Sequence, residues 1–182
     1  MRHYIVLAIT LLMAVHVQAA PFGDADDQSY AKSVWNALVR AKLAGDNAIS
    51  TVPYQGQAPH GAILETLEST VTVHNRQAGP NGDTGIVIVK RNYGGEGVSK
   101  DTVANNPEAY LKAVTVMFKR KGYDPDNSDW FWAKFKSNGE LHVNPKNMKL
   151  AGRVAKGMPQ GCIACHTGAQ GGDYVFNHDR YK

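Results

Sequence analysis

Two cysteines three positions apart, followed at once by a histidine, restrict this chain more than any other feature. The run is Cys162-Ile163-Ala164-Cys165-His166, and it holds both of the protein's cysteines. Each thiol of such a run adds to one vinyl group of a porphyrin, and the two-residue link lets both reach neighbouring vinyls. The histidine then lies beneath the iron as its proximal ligand. Other chemistries also use paired cysteines. A redox disulfide wants the pair near the start of an α/β pattern, whereas this pair comes late, after strand-like segments. A structural zinc wants a second ligand pair at zinc spacing, and His142 and His178 have no such neighbour. Covalent haem c, one per chain, is the chemistry the spacing favours, held by Cys162, Cys165 and His166.

The N-terminus agrees with export. Arg2 and His3 precede an almost wholly apolar run from Tyr4 to Val15, and Val17-Gln18-Ala19 offers small residues at a cleavable boundary. The run is short for a bilayer span and reads as a secretory signal peptide over residues 1–20. Haem c is attached outside the bacterial cytoplasmic membrane, so the predicted compartment is the periplasm. The remaining segment, 21–182, is long enough for a single domain with its own core. No later stretch is apolar enough to span a membrane. Losing Arg2 takes 20 Lys and Arg to 19 against 16 Asp and Glu. The slight basic excess suits an acidic partner, and with lysines and acids interleaved nucleic acid is not indicated.

Asp26 and Asp27 open a segment whose Tyr30, Val34, Leu38 and Ala41 share one helical face, with Gly45 as its expected stop. Strand patterns follow. The chain alternates around Val71 and Val73, and Gly85 to Val89 is a compact β-branched run. Leu111 to Lys119 puts Val114, Val116 and Phe118 on one face and Ala113, Thr115 and Met117 on the other. Trp130 to Phe135 is aromatic, and Asn138-Gly139 predicts a hairpin turn into Leu141 and Val143. The expected fold class is mainly β (α+β), an antiparallel sheet with a few packed helices. A small helical cytochrome c would instead carry its attachment motif early and an axial methionine downstream. Here Met117, Met148 and Met158 all precede the motif, so a sixth position open to small molecules is expected.

The ordered stretches Gly85-Ile86-Val87-Ile88-Val89-Lys90, Gly122-Tyr123-Asp124-Pro125, Asp129-Trp130-Phe131-Trp132, Gly161 to Gly168 and Asp173-Tyr174-Val175-Phe176 resemble the cytochrome P-460 family. The likeness runs from about His60 onward. It implies an antiparallel β fold with packed helices, a homodimer, and one haem c per subunit. The related cytochrome c′-beta shares the fold and binds gases such as nitric oxide. In the P-460 branch a lysine side-chain nitrogen is joined to the porphyrin rim, and Lys90 is the matching residue. The implied reaction is oxidation of hydroxylamine towards nitrous oxide, with electrons passing to a small periplasmic cytochrome.

On a strand, Ile86, Ile88 and Lys90 point to one side, so an inward-facing Lys90 would present a nucleophilic amine to the cavity. On pattern alone a strand-end lysine reaching solvent is the ordinary case, and Arg91 beside it suggests a strand ending at the surface. The resemblance reverses that preference. Members active on hydroxylamine carry a distal glutamate as base, and the matching position is placed at Ala151. Leu141 to Gly161 contains no Asp or Glu, which leaves a water, His142 or a carboxylate from another loop, such as Glu140, as substitutes and turnover expected to be impaired. His60, His74, His142 and His178 are expected at the surface or as bonded core residues rather than as ligands. Trp130, Phe131, Trp132 and Phe135 are expected in the core, with one of them available to wall the haem. Tyr174 and Phe176 could pack at the haem edge. Asp173 is weighed as a partner of His166, with a turn role preferred.

Overall fold

The computed structural model describes residues 21–176; residues 1–20, expected as a signal peptide, and His178 lie outside them. Asp24 caps α1 (Ala25–Arg40), its carboxylate accepting from Asp27 N–H at 2.8 Å, and Asp26 and Asp27 sit in the first turn, where negative charge suits the helix N-terminus. The helix ends a turn before the expected Gly45. Lys42 takes a left-handed conformation at φ 56°. Leu43 N–H then bonds Leu38 C=O at 2.8 Å and Lys42 N–H bonds Val39 C=O at 3.1 Å, a Schellman closure that tucks Leu43 into the core. Ala41, expected on the buried face, is exposed.

Six strands follow: β1 (Tyr54–Gln55), β2 (Ile63–Val73), β3 (Asp83–Tyr93), β4 (Leu111–Lys119), β5 (Trp130–Phe135) and β6 (Ala151–Gly152). They form one antiparallel sheet in sequence order, each strand bonded to the next. Two short helices, α2 (Lys100–Asn105) and α3 (Pro107–Tyr110), link β3 to β4, and α4 (Cys162–His166) is the single turn carrying the cysteines. The mainly β, antiparallel fold read from the sequence is the fold observed. No helix among the described residues is long and apolar enough to cross a membrane.

Alternation along the strands gives the sheet two different faces. Val87 and Val89 of β3, Val114, Val116 and Phe118 of β4, and Phe131 and Phe135 of β5 pack under Tyr30, Val34 and Leu38 of α1. The helix is pinned at its start, where Tyr30 Oη donates to Asp83 at 2.6 Å and the Arg120 guanidinium lies 3.9 Å over the Tyr30 ring. The opposite face carries Ile88, Met117, Trp130 and Trp132 against Phe22, Val154, Ile163 and Val175.

Three local expectations are corrected. β3 does not end at the surface beside Arg91 but runs on through Lys90 and Arg91 to Tyr93. Arg91 is buried rather than marking the surface, because Glu65 of β2 neutralises it at 3.1 Å and Tyr93 Oη donates to the same carboxylate. Past the turn at Gly139, Leu141 and Val143 make single bridges, to Phe135 and Lys149 respectively, rather than a continuous strand. Finally, Ala151 pairs with Ala133 and is fully buried in the core beneath α1. Directly paired residues project from the same face, so Ala151 belongs to the helix side of the sheet. An Ala151→Glu variant would place an unpaired carboxylate in that apolar core and is expected to lose about 3–5 kcal/mol of stability; chemical denaturation checks this.

Candidate haem site

On the face away from α1 the sheet borders a cavity of about 550 Å³, a size proper to cofactor sites. Its apolar wall is Ile88 from β3, Met117 from β4, Trp132 from β5, and Leu150 and Val154 from the segment around β6. α4 closes it from the other side with Cys162, Cys165 and His166. The polar side chains on its lining are His60, Lys90, Thr115, Lys134 and Gln160. Among the described residues none on the lining is an aspartate or glutamate.

Lys90 is 6% exposed and sits in mid-strand between Thr66 of β2 and Thr115 of β4. It shares its side of β3 with Ile88 and so faces the cavity. The inward-facing Lys90 expected from the family resemblance is the arrangement found, and the surface strand end that the adjoining Arg91 suggested on pattern alone is not.

His166 is 6% exposed and held from several directions. Its Nδ1 lies 2.7 Å from the Tyr174 carbonyl oxygen, which only accepts, so Nδ1 carries the hydrogen and the neutral ring has its lone pair on Nε2. That is the form in which an imidazole binds a metal, with a main-chain carbonyl fixing its orientation. The carbonyl is itself anchored. Tyr174 has φ 66°, its Oη donates to Asn127 Oδ1 at 3.0 Å, and Trp130 Nε1 donates to the neighbouring Asp173 carbonyl at 2.7 Å. Asp173 keeps a turn role, its carboxylate accepting from Val175 N–H at 3.1 Å. The rings of Trp132 and Phe176 flank His166, with centres 4.9 and 5.4 Å away.

Both thiols are free of a disulfide. Burial pushes the Cys162 thiol up to about 11, so it is protonated at neutral pH. Gly161 adopts φ 133°, and a Cβ there would lie 2.2 Å from that of Ala155, so glycine lets the chain enter α4 against the cavity wall.

Several expected residues lie elsewhere. Ala151 is outside the cavity, as its register requires. Glu140 is exposed and pairs with Lys136 at 2.8 Å, which holds its carboxyl below the usual range. His142 lies 3.3 Å from the Lys112 carbonyl, with burial lowering its pKa. Neither lines the cavity. His74 is exposed. His60, expected as an ordinary surface or core residue, is instead on the cavity wall. Its one local sign is the loop Ala58-Pro59-His60-Gly61, which carries no recognisable motif.

The donor set suits haem c: two thiols on one helical turn, an imidazole with its lone pair on Nε2, and a largely apolar cavity beside them. Trp132 Nε1 is a further sign, being buried on the cavity wall with no hydrogen-bond partner among the described residues, as expected where a bound group supplies the acceptor. Gly161→Ala is expected to displace α4 and cut the fraction of protein carrying covalent haem at least several-fold, read by intact mass.

The model of the family described as Cytochrome P460 matches residues 25–177. Searches among curated proteins and among solved structures find no significant match. The match spans the helix, the whole sheet and the cysteine turn, and with that fold and that donor set on one cavity, the chain belongs to the Cytochrome P460 family, as a haem c cytochrome.

Proposed function

We propose that this protein is a periplasmic cytochrome that oxidises hydroxylamine towards nitrous oxide, with its haem joined to Cys162, Cys165 and the Lys90 side chain. The observation that carries the reading is the buried Lys90 on the wall of the cavity that also receives His166 and both thiols. Haem c bound there supplies the redox-active iron that accepts the substrate's electrons. His166 Nε2 provides the proximal bond, and its Nδ1–H to Tyr174 holds the ring in place. Lys90, attached to the porphyrin rim, ties β3 to the group that α4 holds from the other side. Trp132, Met117, Ile88 and Leu150 exclude water from the site.

Proton removal is the weak step. Among the described residues no carboxylate lines the cavity, and a missing general base costs about 10²–10⁴ in rate. Slow turnover is therefore expected. The same observation favours a second reading, capture of nitric oxide without turnover in the manner of cytochrome c′-beta. The family resemblance extends the proposal to a homodimer and to a small periplasmic cytochrome as electron acceptor, for which the slight basic excess of the exported chain is suitable.

Steady-state hydroxylamine oxidation with a dye acceptor separates the readings: measurable turnover supports the enzyme, and tight nitric oxide binding with no turnover supports the second. Two variants sharpen the test. Lys90→Ala is expected to convert a red-shifted, broadened Soret band into that of ordinary haem c; an unchanged spectrum would remove Lys90 from the site. Thr115 faces the cavity directly across from Lys90, so Thr115→Glu is expected to raise hydroxylamine turnover by about 10²-fold. No gain would mean that proton removal is not the limitation.

A further inference from the structure

The wall of the haem cavity carries charge of one sign. Lys90 of β3 pairs with Thr115 of β4, and Thr115 pairs with Lys134 of β5. Directly paired residues project from one face, so the three form a row across the sheet, and all of them line the cavity. No carboxylate among the described residues does. With Lys90 taken up in the porphyrin link proposed above, Lys134 is the cation that this row keeps.

The fold holds Lys134 in this position. Its N–H donates to the Leu150 carbonyl at 3.0 Å, and its carbonyl accepts from His142 N–H at 2.9 Å. Ala133 and Phe135 on either side pack into the core beneath α1, which leaves the cavity face to the half-buried Lys134 and to Trp132. No acid among the described residues forms an ion pair with Lys134. Glu140, in the turn that follows, is taken by Lys136 at 2.8 Å. The Lys134 charge also acts across the cavity, favouring the thiolate of Cys162 on α4. The propionates of a porphyrin stand on the edge opposite the vinyl groups that take the thiols, so a cation felt at Cys162 is not theirs to pair.

A cleft with apolar walls and charge of one sign concentrates small ions of the other sign. The apolar lining of Ile88, Met117, Trp132 and Leu150 strengthens the attraction, because it lowers the local polarity. We propose that the haem site of this protein selects small monovalent anions, nitrite among them, and that Lys134 is the residue that selects them. The proposal rests on the haem reading above and names the ligand class of that site. The anion binds through its own lone pair, and no electron or proton is transferred. Hydroxylammonium, a cation, is disfavoured in the same cavity, so hydroxylamine enters as the neutral molecule.

The test is absorption titration of the ferric holoprotein, its covalent haem verified by mass, with azide and nitrite as anionic probes and nitric oxide as a neutral one. The wild type is expected to bind both anions, and to bind them more weakly as ionic strength rises. Lys134→Gln is expected to weaken azide and nitrite about tenfold while leaving nitric oxide binding unchanged. Lys134→Arg, which keeps the charge, is expected to bind the anions as the wild type does. Anion affinity that survives in Lys134→Gln overturns the proposal and leaves the haem site standing, as does a wild type whose azide affinity ignores ionic strength. An equal loss of azide and nitric oxide affinity in Lys134→Gln marks a packing role and also overturns it. A protein without covalent haem overturns the haem reading and this proposal together.

Discussion

A six-stranded sheet has two faces to bury, and this fold treats them unequally. α1 covers one with close-packed aliphatic and aromatic side chains. The other is closed partly by Phe22, ahead of α1, and by Val154, Ile163 and Val175 of the C-terminal segment, and partly borders the 550 Å³ cavity. The period-2 alternation of β3, β4 and β5 decides which side chains meet that cavity: Ile88 with Lys90, Thr115 with Met117, and Trp132 with Lys134. A flat, mainly apolar group bound there covers strand surface that would otherwise meet water, which joins cofactor binding to the stability of the sheet.

The proximal side of the site owes its order to main-chain atoms. The carbonyl that orients His166 belongs to a residue with positive φ, and Trp130 Nε1 and Asn127 fix that segment from β5 and from the turn before it. The aromatic strand therefore serves twice. Trp132 walls the cavity, while Trp130 holds the loop that aims the imidazole. In the loop between β1 and β2 a side-chain amide acts in the same way, Asn92 fixing the tautomer of His60 while bonded to the backbone of β3 and β4.

Features with a local pattern were legible in the sequence. The cysteine run, the amphipathic face of α1 and the alternation of β4 and β5 each repeat at the period of their element, and the structure reproduces the strand bounds Leu111–Lys119 and Trp130–Phe135 as read. Features set by distant partners were not. Arg91 beside Lys90 looked like a strand end because Glu65, which buries it, is a strand away. Ala151 was assigned to the cavity by matching it to the family's distal glutamate, and a strand of two residues carries too little alternation to show which way it faces; the register with Ala133 settles that it faces α1. Tyr174 acts on His166 through a carbonyl, and any residue type supplies one. His60 gave no signal because its place on the cavity wall depends on His166, brought near it only when the sheet forms.

The central claim is that one haem joins the two walls of the cavity, α4 through its thiols and β3 through Lys90. Proteolysis of the denatured holoprotein followed by mass mapping of the haem-bearing fragments tests it directly. The account predicts a single haem-linked species that contains both the Cys162–Cys165 peptide and the β3 peptide with Lys90. Haem found on the cysteine peptide alone, with the Lys90 peptide recovered unmodified, would contradict it.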